Sequence, residues 1–283
     1  MTGEAWRPMG QLDSEASALH EGVPIWLQHS VWEWLRVALM YPSGGYLRVR
    51  QDLLASIDRQ TRRPLPLTAV AEGGGISSIR SALDDNGVLQ LIDYCLAHQE
   101  EINWAADPDV LERGLLEGGS AWRVGTREGF PGLERRVPEG VKEAAEQAMA
   151  TPGHAGARLS EAWHAVYGVN PNPTHAYAMA VKAAEDAAVP VVVPKQAGAT
   201  LGHVIGQLRN DGHWSLPLTR EDPAAPMAET VLRMCEALWK GHHDRHGGDP
   251  AAPKAVGQDE AEAAVHIAVF LVHGFASGMI ARR

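Results

Sequence analysis

The chain has 283 residues, enough for one large domain or two ordinary ones, and its net charge is −10 at neutral pH. Apolar residues make up 45% of the chain and the mean hydropathy is −0.20, so we expect a soluble globular protein, not a disordered one. Both halves of the sequence are acidic. This excludes a broad basic surface for nonspecific nucleic-acid binding but leaves room for a small basic patch.

The first half of the chain is predicted to be mainly helical. Hydrophobic periodicity indicates helices over 31–40, 47–60, 76–83 and 88–99. Asp107-Pro108 predicts a further helix start, because Asp can cap the first amides and Pro gives up a donor that has no partner there. The Pro- and Gly-rich stretch 62–75 is predicted to be a connector. The short segments 120–124 and 133–137 are predicted to pair as a hairpin.

The second half is predicted to be an all-α unit. Another helix begins near Glu139, and we place a domain boundary after Pro152. Region 1–152 is then a helical N-terminal region with a short hairpin, and 153–283 is a helical bundle. Its five helices are expected over 155–167, 172–189, 200–208, 224–242 and 259–280. The predicted fold class is therefore mainly α.

Cysteine content and hydropathy also bear on location. Cys95 and Cys235 lie far apart, so no disulfide framework is implied and a reducing cytoplasm is expected. The N-terminal sequence is polar and acidic, without a signal-peptide pattern. The most apolar stretch, 263–280, contains His266 and His273, so we expect a helix that is buried or faces a second subunit, with no membrane contact. Both histidines are expected to be buried and hydrogen-bonded at a dimer seam.

The densest group of acid/base side chains lies between the last two predicted helices. It consists of His242, His243, Asp244, Arg245 and His246, followed by two glycines. We call residues 242–248 the His-rich segment. Histidine titrates near physiological pH, and the arginine guanidinium matches the geometry of a phosphate. The segment therefore predicts a nuclease-like or metal-binding site.

A series of short motifs leads up to this segment. They are Leu159-Ser160-Glu161-Ala162-Trp163, Tyr167-Gly168, Asn172-Pro173, Ala176-Tyr177, residues 180–186, Pro194-Lys195, Thr200-Leu201-Gly202 and Asp244-Arg245-His246-Gly247-Gly248. In this order and spacing, residues 155–283 resemble the C-terminal domain of abortive-infection proteins, a branch of the HEPN helical superfamily. The resemblance implies a helical bundle that forms a homodimer and cuts RNA without a metal or other cofactor.

The resemblance also implies roles for individual residues. His246 would be the acid/base at the ribose 2′-hydroxyl or the leaving oxygen. The family pattern has an arginine, four to six intervening residues and a histidine. Here Lys240 stands six residues before His246, and Arg245 is adjacent to it. Arg245 and Lys240 would contact the phosphate, and His242 and His243 would bind substrate.

An acidic residue on an earlier helix accompanies the family motif, and Glu185 or Asp186 matches that place. Either carboxylate would orient the His/Arg cluster. The alternative interpretation is an ordinary helix surface, on which Lys182 and Glu185 form an ion pair three residues apart.

Two other functions fit the same residues. Because lysine lacks the bidentate fork of arginine, Lys240 favours a non-catalytic HEPN scaffold that senses or binds a partner. The third reading is a metal-binding hydrolase. His242 and His246 are four residues apart, and Asp259, Glu262 or His266 could complete the ligand set.

Two further motifs are expected to be structural. The aromatic residues Trp163, Tyr167, Tyr177 and Trp239 are predicted to fill the core, not to stack on bases. Thr200 is predicted to cap the helix that follows it.

Overall fold

The computed structural model describes residues 18–62, 64–102, 106–127, 130–219, 222, 224–241 and 255–283. This part of the chain is mainly helical and has small two-stranded sheets, which confirms the predicted class at that level. The chain divides into two compact units, Met1–Arg136 and Val137–Arg283. The second unit therefore starts earlier than the predicted boundary, because the helix that begins at Glu139 packs with it.

The first unit alternates helices with two hairpins. Its elements are α1 (Ile25–Leu39), β1 (Met40–Ser43), β2 (Tyr46–Val49), α2 (Gln51–Thr61), α3 (Leu67–Glu72), α4 (Gly75–Ala82), α5 (Asp85–Ala97), α6 (Pro108–Glu117), β3 (Trp122–Arg127) and β4 (Phe130–Arg135). Each hairpin is antiparallel. The core forms where α5 packs against β4 and α1 packs against α6.

Local capping explains the helix starts that were predicted. The Asp107 carboxylate accepts a hydrogen bond from the amide of Asp109 at 2.9 Å, which confirms the start of α6. The predicted connector 62–75, by contrast, contains the short helix α3. Its cap comes from α2, where the Asp58 carboxylate accepts from the amide of Leu67 at 2.7 Å. A cap supplied from nine residues upstream leaves no local pattern.

The two hairpins differ in how well their sequences predicted them. The second, β3–β4, is confirmed, and its strand β4 is held to α5 by Asp93, which accepts from the amide of Leu133 at 2.8 Å. The first, β1–β2, was missed, because residues 47–50 were assigned to the helix that begins only at Gln51. Most of its side chains are exposed on both faces, so it lacks the alternation of a half-buried strand.

The second unit is a helical bundle closed by a very short sheet. Its elements are α7 (Glu139–Met149), α8 (His154–Tyr167), α9 (Pro173–Val192), α10 (Leu201–Asp211), β5 (Trp214–Ser215), α11 (Met227–Lys240), α12 (Gln258–Ala276) and β6 (Ala281–Arg282). The five predicted helices are present, and α7 joins them. The pairing of β5 with β6 was not predicted.

Helix α9 lies at the centre of this unit. It packs against α8, α10 and α12, and alanines on its buried positions allow the neighbouring backbones to approach closely. It continues through Pro190, where an end was predicted, and the amide of Val193 still donates to the carbonyl of Val189 at 3.0 Å. Trp163 and Tyr177 are buried core residues, as predicted. None of the helices in the described ranges is long and apolar enough to cross a membrane.

Candidate functional site

The His-rich segment lies outside the described residues. This applies to the predicted site residues His242, His243, Arg245 and His246. The structure does describe the residue that precedes the segment, Gly241. It also describes the remaining predicted site residues, which are Lys240, Glu185 and Asp186. The geometry below is therefore that of the residues around the start of the segment.

The C-terminal end of α11 is fixed against α9. The hydroxyl of Tyr177, on α9, donates to the main-chain carbonyl of Leu238 at 3.1 Å. A Cβ atom built on Gly241 would lie 2.2 Å from the same hydroxyl oxygen, so glycine is required for this close approach. The chain therefore enters the His-rich segment from a position set by Tyr177.

Helix α10 contacts the same end of α11. The indole of Trp239 lies against Gly202, in the first turn of α10, where an added Cβ would come within 3.0 Å of the ring. Thr200 caps this turn as predicted: its side chain accepts from the amide of His203, and its own amide donates to Nδ1 of His203 at 3.1 Å. The start of α10 and the end of α11 are thus direct neighbours. Trp239 is only half-buried, which makes it a boundary residue, not a core residue.

Glu185 and Asp186 reach different neighbours although they are adjacent. The carboxylate of Glu185 accepts from the amide of Leu201 at 2.7 Å, so it caps α10 beside Gly202. Asp186 instead faces α8, where Nη1 of Arg158 lies 2.8 Å from its Oδ2. Consecutive helical residues point about 100° apart, which explains the divergence. Of the two acids, only Glu185 belongs to the junction of α10 and α11.

These contacts also correct the expected surface pair. Glu185 binds the amide of Leu201, and its predicted partner Lys182 is exposed on α9. Burial raises the pKa of Asp186 above its usual value, and the positive charge of Arg158 opposes that shift. Asp186 is thus paired with Arg158 within the bundle.

Lys240 is exposed and stands one helical turn after a covered carboxylate, that of Glu236. The Glu236 side chain is only 4% exposed, because Arg209 from α10 and Arg233 from α11 both donate to it. These hydrogen bonds lower the pKa of Glu236, and the charge of Lys240 acts in the same direction. Three cations therefore surround one carboxylate near the end of α11, although Glu229 also pairs with Arg233.

A second polar cluster, missed by sequence reasoning, joins α8 to α12. The Tyr167 hydroxyl lies 2.8 Å from Nε2 of His266. Burial, with the nearby charge of Glu262, raises the pKa of Tyr167 well above its ordinary value. The phenol therefore keeps its proton, and it can donate to Nε2 where His266 carries its ring proton on Nδ1. The two residues are 99 positions apart, so no local pattern joins them.

The histidines of α12 are accessible in the single chain, and their expected burial at a dimer seam stays a prediction. His266 is exposed and His273 is half-buried, and both line a cavity of about 420 Å³ between α7 and α12. Apart from the two histidines and Gln147, the cavity wall is apolar and includes Val141, Val269 and Phe270. This surface therefore carries two accessible imidazoles beside an apolar hollow.

The described residues offer neither a metal-binding cluster nor a reactive thiol. In those ranges no three His, Cys, Asp or Glu side chains are grouped so as to hold a metal ion. Glu262, one of the suggested ligands, accepts from the side chain of Gln258 at 2.9 Å. Cys95 and Cys235 are buried, and burial raises the pKa of each thiol to about 12, so neither is a nucleophile at neutral pH.

Comparison with known proteins adds no relative, since no family model, curated protein or solved structure matches the chain. The HEPN-like assignment of residues 155–283 stays a prediction from the order and spacing of its motifs.

Proposed function

We propose that this chain is an abortive-infection or toxin-type endoribonuclease that works without a metal ion. His246 is the acid/base, Arg245 and Lys240 contact the phosphate, and Glu185 is the positioning acid. The observation that carries the proposal is the junction of α9, α10 and α11. There Tyr177, through Gly241, fixes the point from which the His-rich segment leaves, close to a helix start that Glu185 caps.

The chemistry follows from the residue types. The ribose 2′-hydroxyl loses its proton to a base and attacks the phosphorus, and the 5′-oxygen leaves with a proton from an acid. Neutral imidazole accepts a proton and imidazolium donates one, so His246 can serve in either step. The guanidinium of Arg245 and the ammonium of Lys240 stabilise the negative charge that builds on the phosphorane. The products are a 2′,3′-cyclic phosphate and a 5′-hydroxyl.

Of the two predicted acids, the described geometry favours Glu185. It belongs to the same junction as Gly241, whereas Asp186 is paired with Arg158 on α8. Near the end of α11 the cations Arg209, Arg233 and Lys240 stand with two carboxylates, Glu229 and Glu236, which leaves one net positive charge to meet the RNA backbone. A homodimer would bring two such junctions to one substrate.

The test is RNA cleavage by the purified full chain with EDTA present. The wild type should cut, and His246→Ala should not. His29→Ala is the matched control, because His29 is an exposed histidine on α1, far along the chain from the segment. Equal cutting by wild type and His246→Ala would contradict the proposal.

Two other functions would show themselves in the same experiment. Cleavage that EDTA abolishes supports the metal-binding hydrolase built on His242 and His246. A protein that cuts no RNA under any of these conditions supports the non-catalytic scaffold, which the lysine at position 240 favours.

A further inference from the structure

The first hairpin carries an unusual combination of side chains on one face. In its register Tyr41 pairs with Arg48 and Ser43 pairs with Tyr46. Since successive residues of a strand point to opposite faces and paired residues share a face, these four side chains lie on the same side of the hairpin. Arg50 lies just beyond the end of β2, and its guanidinium lies over the Tyr41 ring, on the same side of the hairpin. We call Tyr41, Tyr46, Arg48 and Arg50 the tyrosine–arginine face.

The two tyrosine rings are accessible. Tyr46 is 77% exposed and Tyr41 is 37% exposed, although a lone hairpin gains stability by covering its aromatic rings. They are offset by two residues along the strands, or about 7 Å at the usual rise per residue. Two aromatic rings therefore lie side by side, of which Tyr46 is largely open and Tyr41 is open in part.

The arginines of this face are not neutralised by carboxylates. Arg48 is exposed, and no ion pair to it or to Arg50 is found among the described residues. The guanidinium of Arg50 lies over the Tyr41 ring, 5.6 Å from its centroid, and its Nε has no hydrogen-bond partner there. In a chain whose net charge is −10, this face presents arginines and no acid.

The base of the hairpin is rigid. Helix α1 runs into β1 without a linker, and the amide of Arg50 donates to the carbonyl of Leu39 at 2.9 Å. At the tip, Gly44 and Gly45 both have positive φ, as a two-residue turn requires. The other face holds Val49, and β2 packs beside the start of α4, where a Cβ built on Gly75 would lie 3.9 Å from Val49 Cγ2. The backbone that carries the rings and arginines is thus fixed at its base by contacts within the first unit.

We propose that the tyrosine–arginine face binds single-stranded RNA, with bases stacked on Tyr41 and Tyr46 and phosphates bound by Arg48 and Arg50. Unpaired bases stack on aromatic side chains, and arginines follow the backbone. A folded protein partner would be a poorer match, because its surface carries charges of both signs and lacks the regularly spaced phosphates and flat bases of RNA. The ligand's identity as RNA rests on the proposed function, whereas the binding mode rests on the hairpin.

The test is fluorescence anisotropy with a labelled single-stranded RNA of twelve nucleotides and mixed sequence. The parent is the full chain carrying His246→Ala, so that the RNA stays intact. Tyr46→Leu and Tyr41→Leu should each weaken binding about tenfold, because leucine keeps the apolar surface but cannot stack. Tyr46→Phe should lose much less affinity than Tyr46→Leu, because it keeps the ring that stacks. The same sequence annealed to its complement should bind more weakly, because its bases are paired.

Charge reversal tests the phosphate contacts. Arg48→Glu should weaken binding and make it less dependent on salt, by about one counterion. The matched control is Arg113→Glu, which makes the same change of charge at an exposed arginine on α6 and should bind like the parent. If Tyr46→Leu and Arg48→Glu both bind within twofold of the parent, the proposal is overturned. It is also overturned if the parent binds duplex as well as single strand.

Failure here is distinguishable from failure of the proposed function. If the wild type and His246→Ala cut RNA equally while Tyr46→Leu weakens binding, the nuclease assignment is wrong and the hairpin proposal stands. If His246→Ala stops cleavage while the hairpin variants bind like the parent, the nuclease assignment stands and the hairpin proposal is wrong.

Discussion

The hydroxyl of Tyr177 donates to the carbonyl of Leu238 at 3.1 Å, and the same oxygen occupies the space where a side chain on residue 241 would begin. The Tyr177 phenol therefore satisfies a main-chain carbonyl at the end of α11 and requires glycine at position 241, where the chain leaves the helix. A second hydrogen bond closes the same end of the helix, because the amide of Gly241 donates to the carbonyl of Ala237 at 3.1 Å. This anchoring is what gives the His-rich segment a defined starting point.

We predict that Gly241→Ala destabilises the protein by about 1–3 kcal/mol, because its Cβ would overlap the Tyr177 hydroxyl. Tyr177→Phe alone should cost about 1 kcal/mol through the lost hydrogen bond. In the double variant the overlap is gone, so its loss should be smaller than the sum of the single losses. Urea unfolding measures all three. If the stability losses of the two single variants add exactly in the double variant, the Cβ at position 241 does not overlap the Tyr177 hydroxyl.

We predict that Glu185→Gln lowers RNA cleavage more than Asp186→Asn does. Glu185 caps α10 beside the end of α11, whereas Asp186 pairs with Arg158 on α8. Loss of the charged cap should also cost about 0.5–2 kcal/mol of stability. Cleavage rates are compared at a temperature where both variants are folded. A larger loss for Asp186→Asn would move the positioning role to that residue.

Glu236 should make stability depend on pH at the acid end. Its pKa is lower in the folded protein than its ordinary value of 4.5, so the folded state holds fewer protons than the unfolded state. Its stabilising contribution is present above pH 4.5 and is lost as the pH falls through the folded pKa. The Tm difference between wild type and Glu236→Gln should therefore be larger at pH 6.5 than at pH 3.

The Tm difference caused by a substitution at Asp186 should depend on pH in the opposite direction. Burial raises its pKa above the ordinary 3.8, so ionisation of Asp186 weakens the folded state as the pH rises through this range. The Tm of Asp186→Asn relative to wild type should therefore rise with pH, whereas that of Glu236→Gln falls. Parallel trends in the two variants would contradict the assigned shifts.

We predict that nitrogen NMR finds His266 as the neutral tautomer protonated on Nδ1 at pH 8. The Tyr167 hydroxyl lies 2.8 Å from Nε2, and a hydroxyl that donates across this contact requires the ring proton to be on Nδ1. Tyr167→Phe removes the donor, so the tautomer should shift towards Nε2–H. His175→Ala is a control, because its partner is Glu161 and the change should leave the His266 signals in place. An unchanged tautomer in Tyr167→Phe would contradict this contact.

The parts of the fold that the sequence predicted have local causes. Asp107-Pro108 and Asn172-Pro173 contain both the cap and the first helical residue, so the helix starts are encoded within a few positions. The cap of α3 comes instead from Asp58, and the two residues of β5 pair with residues near the C-terminus. Contacts between distant residues leave no periodicity in either segment.

The candidate site also has a part that local sequence predicts and a part that depends on tertiary contacts. Lys240 and Glu185 were found from the order of motifs, but only tertiary contacts separate Glu185 from its neighbour Asp186. The Tyr167–His266 pair and the tyrosine–arginine face depend on a helix crossing and on strand register. A short exposed hairpin has no buried stripe, which is why its aromatic face did not stand out.

The most direct test of the central claim is the chemistry of the RNA ends formed with EDTA present. We predict that the wild type leaves 2′,3′-cyclic phosphate and 5′-hydroxyl ends, and that His246→Ala leaves the RNA intact while His29→Ala cuts like the wild type. Products with 3′-hydroxyl and 5′-phosphate ends, or cleavage that survives in His246→Ala, would contradict a 2′-hydroxyl attack assisted by His246.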